Sequence, residues 1–513
     1  MTGRAPRARR VASGLSRWLM SRGPGVSLVL ALLAGVLQTV SFAPVEAWWL
    51  QPLSLAGLAV LVWDAAPRRA AACGFAFGLG WLAAGLWWLY ISLHDYGHLP
   101  APFAGAAVGL LAAFLSLYYT AAMGCFAGWR RAAPAARVGL FAALWLLAEL
   151  ARAQWLTGFP WIASGYAHTV GPLAGWAPWI GVYGIAALSA ALAAALAALL
   201  HAKAWRALAV LAVLAAVPVV LPSEFTRSSG EIRLSLLQPN VAQDQKFDRE
   251  LWARNLDALL QQAERARGQL VLTPESVVPL PLAYLEPEVV QRIAAVGKVR
   301  PVLLGSFLGD DQAGFVNSLV AFGAPRQPDG EAYSYGKRHL LPFGEFIPPG
   351  FHWFVQALRI PLDDQATGQH QRSLVLDGQR IRPLICYEDL FGEDFARSLV
   401  GPEAATVLAN ASNLAWFGPR MVQDQHLQFS RMRTLEFQRP LVRATNTGAT
   451  AAIDHQGRVT ARLPAEVPGV LEVRVEGRTG ATPYARWLAA LGLWPLWGLG
   501  LVAALLLRRP AGR

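Results

Sequence analysis

Apolar runs long enough to cross a bilayer recur through the first 222 residues and once more near the end of the chain, whereas the stretch between them breaks into short apolar runs separated by charge. Roughly 20 apolar residues cross a membrane as a helix. The pattern predicts spans at 25–43, 46–63, 70–91, 102–128, 138–156, 176–200 and 207–222, with an isolated one at 486–507. Composition changes abruptly at Pro222. Beyond it, Val-, Ile- and Leu-rich runs at 231–238, 269–272 and 302–307 alternate with helical periodicity over 249–265 and 287–296, an α/β rhythm. Further strand signals at 374–376, 381–386, 406–408 and 441–444, with a helix over 421–438 between the last two, predict two sheets with helices outside. The expected organisation is a membrane domain of seven transmembrane helices over 1–222, an α/β domain over 223–483, and an eighth helix with a short tail over 484–513.

Composition agrees. Of 513 residues 54% are hydrophobic and 15% charged, too apolar a balance for an ordinary soluble enzyme and the reverse of a disordered chain. A net charge of +12 would ordinarily raise nucleic acid as a partner. Its distribution argues against that. Residues 1–222 hold 14 Lys and Arg against four acids and 484–513 hold four against none, while 223–483 are nearly balanced at 27 against 29. The excess therefore flanks the spans. Lys and Arg in short loops are retained on the cytoplasmic side, and Arg4, Arg7, Arg9, Arg10, Arg17 and Arg22 precede the first span. Arg68 and Arg69, then Arg130, Arg131 and Arg137, then Lys203 and Arg206, and finally Arg508, Arg509 and Arg513 mark every second connection, whereas 44–45, 92–101 and 157–175 carry no cation. Eight spans with both termini inside satisfy this alternation and place 223–483 outside the cytoplasm. Ser41-Phe42-Ala43 loosely resembles a signal-peptide cleavage site, but Pro44 and six further spans follow it.

Polar groups inside spans are functional candidates by default. Glu149 and Arg152, three apart on one helix face, are expected to pair locally, and His94, Asp95 and His98 fall where water reaches a span's outer end. Trp48, Trp49, Trp87, Trp88, Trp161, Trp176 and Trp179 cluster near the outer boundaries as an aromatic belt would.

Cys73 and Cys125 fall in predicted spans, so Cys386 is the single thiol of the α/β domain and has no disulfide partner there. It closes the apolar run 381–385 and opens Tyr387-Glu388-Asp389, where a buried strand gives way to polar chemistry. A cysteine nucleophile needs a proton acceptor and a cation or donors for the oxyanion formed at an attacked carbonyl. His339, His352, His370, His426 and His455 form no recognisable Cys/His signature, and no Cys-x-x-Cys or His-Glu-x-x-His favours zinc. Carboxylates remain: Glu275 ends the apolar run of LVLTPES, and Lys337 lies in YGKRHLLPFGEF.

The segments TPES, GKRHLLPFGEF and ICYED, in this order, resemble the nitrilase superfamily with its Glu-Lys-Cys set. With eight spans around the domain, the chain resembles the apolipoprotein N-acyltransferase family of bacteria over essentially its whole length. That resemblance implies a nitrilase-like four-layer αββα sandwich, with Glu275 as general base, Cys386 as nucleophile and Lys337 beside the tetrahedral oxyanion; Glu345 and Glu388 match supporting acidic positions. Burial is expected to raise the Glu275 carboxyl until it can take the thiol proton, and the nearby ammonium to favour thiolate. Asn317, Asn413, Trp416 to Gly418, Arg433, Glu436, Arg439, Arg443 and Asn446 are further matches, expected to make structural hydrogen bonds. Leu414 stands where the family has an acid, and Phe247 where it has a tryptophan. The apolar segment 343–361, with Phe346, Ile347, Phe351, Trp353, Phe354 and Val355, reads either as a covered core segment or as an arm at the membrane surface.

The reading expected from the resemblance is a multi-pass enzyme of the bacterial inner membrane with its site on the periplasmic face. It moves an acyl chain from a phospholipid, phosphatidylethanolamine being the expected donor, through a Cys386 thioester to the N-terminal amine of a diacylated apolipoprotein; no metal or organic cofactor is required. Two alternatives stay open. One is a membrane-tethered amidase hydrolysing a small amide with the same residues, the other a transporter or receptor with a periplasmic binding domain.

Overall fold

The computed structural model describes residues 23–129, 133–246, 249–350, 352, 364–419 and 421–508. Arg4, Arg7, Arg9, Arg10, Arg17, Arg22, Arg130, Arg131, Arg509, Arg513, Phe247 and, in the apolar segment, Phe351, Trp353, Phe354 and Val355 lie outside the described residues.

The apolar runs form the helices Pro24–Thr39, Leu50–Val62, Pro67–Gly85, Ala101–Gly128, Pro134–Gln154, Ala177–Ala202 and Trp205–Ala216, with Pro483–Leu491 and Trp494–Arg508 near the end. Pro24, Pro67, Pro102, Pro134 and Pro178 stand in first turns, where a missing N–H removes no helical bond. Among the described residues three helical stretches, Ala101–Gly128, Pro134–Thr157 and Pro172–His201, are long and apolar enough to cross a membrane. Two bent pairs, at 64° and 88°, raise this to five if each is one span; Gly25–Thr39, Leu50–Val62 and Trp205–Val219 are apolar but shorter. The expected count of eight is thus reached only by including the short helices and the bent pairs. The run 486–507 is broken because Gly492 takes φ +58° and Pro495 sits in the first turn beyond it, neither of which lowers hydropathy. Val29, Leu33, Leu110, Leu117, Val213, Leu501, Val502 and Leu506 remain exposed on the outward faces of these helices.

Twelve strands among the described residues build two sheets: β1 (Thr226–Gln238), β2 (Leu270–Leu272), β3 (Val302–Asp310), β4 (Gly314–Phe322), β5 (Ser334–Gly336), β6 (Leu374–Leu376), β7 (Gln379–Ile385), β8 (Val407–Ser412), β9 (Leu441–Thr445), β10 (Ala451–Ile453), β11 (Val459–Arg462) and β12 (Gly469–Gly480). The first sheet runs β12-β1-β2-β3-β4-β5 and the second β11-β10-β9-β8-β7-β6. Parallel pairing joins β1 to β2 and β2 to β3, and likewise β7 to β8 and β8 to β9. The residues of β2, β8 and β9 are all buried, as strands covered on both faces must be. Leu234, Leu272 and Leu303 of one sheet meet Ile381, Ile385, Val407 and Val442 of the other. On its outer face the first sheet packs Leu237, Val271 and Leu304 against Leu256, Leu259 and Ile293 of the helices Arg249–Arg265 and Pro287–Val299.

The outer face of the second sheet is covered differently. Leu384, Leu408 and Leu441 share one apolar cluster with Phe429 and Met432 of the helix Met421–Phe437, and that cluster continues into the membrane helices. This helix is polar in sequence yet buried nearly all round, because its polar groups bind the two bodies it separates. Gln425 Oε1 accepts from Trp161 Nε1 (2.7 Å) and Trp88 Nε1 (3.2 Å), Gln428 Oε1 accepts from Ala43 N (3.0 Å), and Glu436 Oε1 accepts from Val182 N (2.7 Å). Trp88 and Trp161 are therefore buried beneath the α/β domain, and the expected aromatic belt does not include them; Trp49 and Trp87 are exposed.

Candidate active site

The candidate residues collect where strands end, the edge at which parallel sheets present polar loops. Glu275 follows β2 by three residues, Lys337 directly follows β5, Cys386 directly follows β7, and Asn413 directly follows β8. Two local features fix the Glu275 turn. Thr273 Oγ1 accepts from Gly305 N (2.9 Å), and Ser276 takes φ +43°. Gly305 has no room for a side chain, since a Cβ there would lie 2.1 Å from Pro274 O. Cys386 itself holds φ +51°, a left-handed conformation that an unbranched residue adopts only when its surroundings impose it. Its carbonyl accepts from Asn410 Nδ2 (3.0 Å) of the neighbouring strand.

Lys337 is the centre of the cluster. Its Nζ donates to Glu275 Oε1 (3.1 Å) and to Glu345 Oε1 (2.6 Å), with all three side chains buried. Asn317 Nδ2 bridges the same two carboxylates at 2.7 and 3.2 Å, and Asn413 N donates to Glu275 Oε2 (3.0 Å). Leu341 N donates to Glu345 Oε2 (2.8 Å), tying the carboxylate to its own loop. Cys386 is half-buried as a residue, and its thiol lies within the electrostatic reach of Glu275, Lys337, Glu345 and Asp389. Glu388 joins the lysine segment to the cysteine segment. Its Oε2 accepts from Tyr335 OH and Ile385 N, both at 2.7 Å, and its Oε1 accepts from Arg338 N (2.7 Å). One buried carboxylate thus grips backbone or side chain on both sides of the site.

The electrostatics differ from the sequence expectation. Burial does push the Glu275 carboxyl up, but the Lys337 ammonium and its hydrogen bond, Lys246 and Asn317 together outweigh it and hold the group below its ordinary value. Glu345 is the carboxyl that burial, with the Glu275 charge, raises despite Lys337. Burial and the Glu275 charge push the Cys386 thiol well above the usual range, and the opposing pull of Lys337 does not restore it. Burial would lower the Lys337 ammonium, yet the two carboxylates hold it higher than usual. The resting charges are therefore carboxylate at 275, ammonium at 337 and neutral thiol at 386, rather than a preformed thiolate.

All five candidate residues thus meet in one place. Asn317 and Asn413 make hydrogen bonds as expected, with Glu275 itself as the partner. Asn446 Nδ2 supports Asn413 Oδ1 (3.1 Å). Arg433 pairs with Glu436 (3.0 Å), Arg439 Nε donates to Ala405 O (2.6 Å), and Arg443 donates to Asp389 (3.2 Å), all away from the lysine. Trp416 stacks edge-on with Tyr96 at 5.7 Å, and Leu414 is buried as an apolar residue. Lys246 is a neighbour of the site that the sequence does not mark. Its Nζ donates to Ser276 Oγ (2.8 Å), and burial holds its ammonium down to about 8 against the pull of Glu275. No spacing distinguishes it from other lysines. Of the apolar arm, Phe343 is exposed with φ +57°. Among the described residues no cluster of His, Cys, Asp and Glu is arranged to hold a metal ion.

Comparison with known proteins divides the chain in the same way. Residues 34–195 match the family model described as the apolipoprotein N-acyltransferase N-terminal domain, and residues 233–484 match that of carbon-nitrogen hydrolases. The chain is 46% identical to an apolipoprotein N-acyltransferase of Ralstonia nicotianae, covering 94% of each chain. It is likewise 46% identical to one of Verminephrobacter eiseniae, over 90% of this chain and 92% of the relative. A relative of the same description in Bordetella bronchiseptica is 41% identical, over 93% of this chain and 96% of its own.

Proposed function

Because the chain belongs to the apolipoprotein N-acyltransferase family, and is therefore a membrane acyltransferase of lipoprotein maturation, we propose that Cys386, Lys337 and Glu275 perform the transfer through a thioester. The observation that carries this reading is the buried Lys337 Nζ, which binds Glu275 at 3.1 Å and Glu345 at 2.6 Å with the left-handed Cys386 within electrostatic reach of all three.

The first half-reaction starts from a neutral thiol. As Sγ bonds to the acyl carbonyl carbon of a phospholipid, Glu275 takes the thiol proton, and the oxyanion forms beside the Lys337 ammonium. The C–O bond to glycerol then breaks, and the departing oxygen takes the proton from Glu275 to leave as lysophospholipid. In the second half-reaction the free α-amine of an S-diacylglyceryl-cysteine attacks the thioester carbon, Glu275 takes an N–H proton, and the C–S bond breaks. That proton returns to the sulfur, so the enzyme is restored and an amide has formed. A covalent intermediate divides one exchange between two lipids into two easier steps. Glu345 and Glu388 position the lysine and cysteine segments.

The finer assignments extend the same reading. Phosphatidylethanolamine is the donor, residues 1–222 and 484–513 form the membrane part with eight spans, the shorter and bent helices included, and 223–483 form a four-layer αββα domain in the periplasm. The N- and C-termini lie in the cytoplasm of a bacterium with its inner membrane as host, a reading that the basic residues of alternate connections support.

Intact-mass measurement after incubation with phospholipid tests the chemistry. The expected result is a hydroxylamine-labile fatty-acyl adduct on the wild type that is absent from Cys386→Ala, followed by conversion of a diacylated lipopeptide to the triacylated form. An enzyme that transfers acyl groups while its Cys386→Ala variant does so equally well overturns it, and release of free fatty acid with no triacylated product would indicate hydrolysis.

A further inference from the structure

The pair Glu149 and Arg152 lies in the last two turns of the helix Pro134–Gln154 with both side chains fully buried, and the local pairing expected from the sequence is present at 3.2 Å. It is only part of what the arginine does. Arg152 Nη1 donates to two carbonyls beyond the helix, Phe159 O (2.7 Å) and Trp161 O (2.9 Å), while Phe159 N returns a bond to Arg152 O (2.8 Å). Glu149 holds the guanidinium in place through Oε2 and accepts from Tyr119 OH (3.0 Å) through Oε1.

The chain that Arg152 grips is strained. Leu156, Thr157 and Gly158 take φ +54°, +74° and +79° in succession, and a Cβ at Gly158 would lie 1.9 Å from Ala153 O. Three consecutive left-handed residues persist only where their surroundings over-determine them, and the guanidinium binds the returning chain at Phe159 and Trp161. The far side of that turn faces the candidate site. Tyr387, the residue after Cys386, donates its OH to Gly158 O (3.2 Å), and its ring lies 6.2 Å from Phe159. A buried cation in the membrane helix is thus two contacts away from the sulfur.

We infer that Arg152 is a positioning residue for Cys386, acting through the backbone of 158–161 and the Tyr387 hydroxyl to hold the segment that carries the nucleophile. This rests on the reading of Cys386 as the nucleophile. The arrangement gives the charge pair in a span a structural role: the guanidinium satisfies two carbonyls that lie outside any helix. Lysine keeps the charge and loses the guanidinium.

The test uses the full chain in detergent with a phospholipid donor, reading the rate of adduct formation at Cys386 and its dependence on donor concentration. Arg152→Lys is expected to slow acylation on the order of 10- to 100-fold at saturating donor, with the half-saturating donor concentration essentially unchanged. Tyr387→Phe is expected to do the same, and Arg152→Lys in the Tyr387→Phe background to add nothing, because both act through one contact. Where Arg152→Lys fails to fold, Glu149→Gln with Arg152→Met leaves no unpaired charge and is read in the same way. Acylation at the wild-type rate in a folded Arg152 variant, or losses that multiply in the double variant, would overturn the inference. Transfer that survives Cys386→Ala would instead overturn the reading on which it stands, so the two failures are told apart.

Discussion

Lys337 answers to two carboxylates, and this shapes what each neighbour can do. With the thiol raised by burial and by the Glu275 charge, Cys386 is expected to be protonated at neutral pH. Its alkylation by iodoacetamide should therefore climb with pH through and beyond the ordinary thiol value of about 8.5, when the adduct is mapped to residue 386 by digestion. Removing the ammonium by Lys337→Met should move that climb to still higher pH, and removing the carboxylate charge by Glu275→Gln should move it lower; rapid labelling of the wild type near pH 6 would contradict the raised thiol, and a variant shift of the opposite sign would contradict its cause. In the transfer assay Glu275→Gln should lose roughly 10²- to 10⁴-fold as a missing proton acceptor, and Lys337→Met roughly 10²- to 10³-fold as a missing oxyanion partner. Cys386 and Glu275 are legible because each closes an apolar run at a strand end, whereas Lys337, Glu345 and Glu388 are picked out by the resemblance of their segments to the family. Lys246 is not legible, and neither is the Asn413 backbone N–H on Glu275, because such contacts depend on which distant loops the sheets bring together. The direction of the Glu275 shift is not legible in the sequence for a related reason: burial alone argues upward, whereas two cations and an amide argue downward only once their positions are known.

At the level of elements, the site depends on turns that admit no side chain. Gly305 of β3 lies against the Glu275 turn, and Gly305→Ala would drive a methyl group against Pro274 O and Ser276 N. A cost of about 1–3 kcal/mol in stability is expected, with acyl transfer falling further than stability because Glu275 moves; thermal unfolding and the transfer assay on one preparation compare the two. The alternation of strands and helices is readable from periodicity, and the helix predicted over 421–438 forms as Met421–Phe437. Helix breaks were not readable in the same way. Runs such as 70–91 and 486–507 stay apolar across their bends, so hydropathy sees one span where the backbone makes two helices.

For the molecule as a whole, the uneven placement of charge is a statement about sidedness. In a chain otherwise free of cysteine, Asp377→Cys should react with a membrane-impermeant maleimide in intact spheroplasts, and Arg68→Cys only after permeabilisation; both residues are exposed. The opposite pattern would invert the proposed topology. The separation into an apolar half and an α/β half was plain from composition, but the way they meet was not, since the residues that join them, Gln425, Gln428 and Glu436, look like the solvated face of an ordinary helix.

That joining helix bears on how the enzyme can be taken apart. With Met421–Phe437 serving as the outer wall of one half and the ceiling of the other, neither half has a finished boundary of its own. A fragment cut away at residue 222 would turn Gln425, Gln428 and Glu436 toward water and sever the backbone amide and indole contacts they make. The two parts are better regarded as a single casting than as a catalyst bolted to an anchor, and changes in the bilayer portion should be felt at the sulfur.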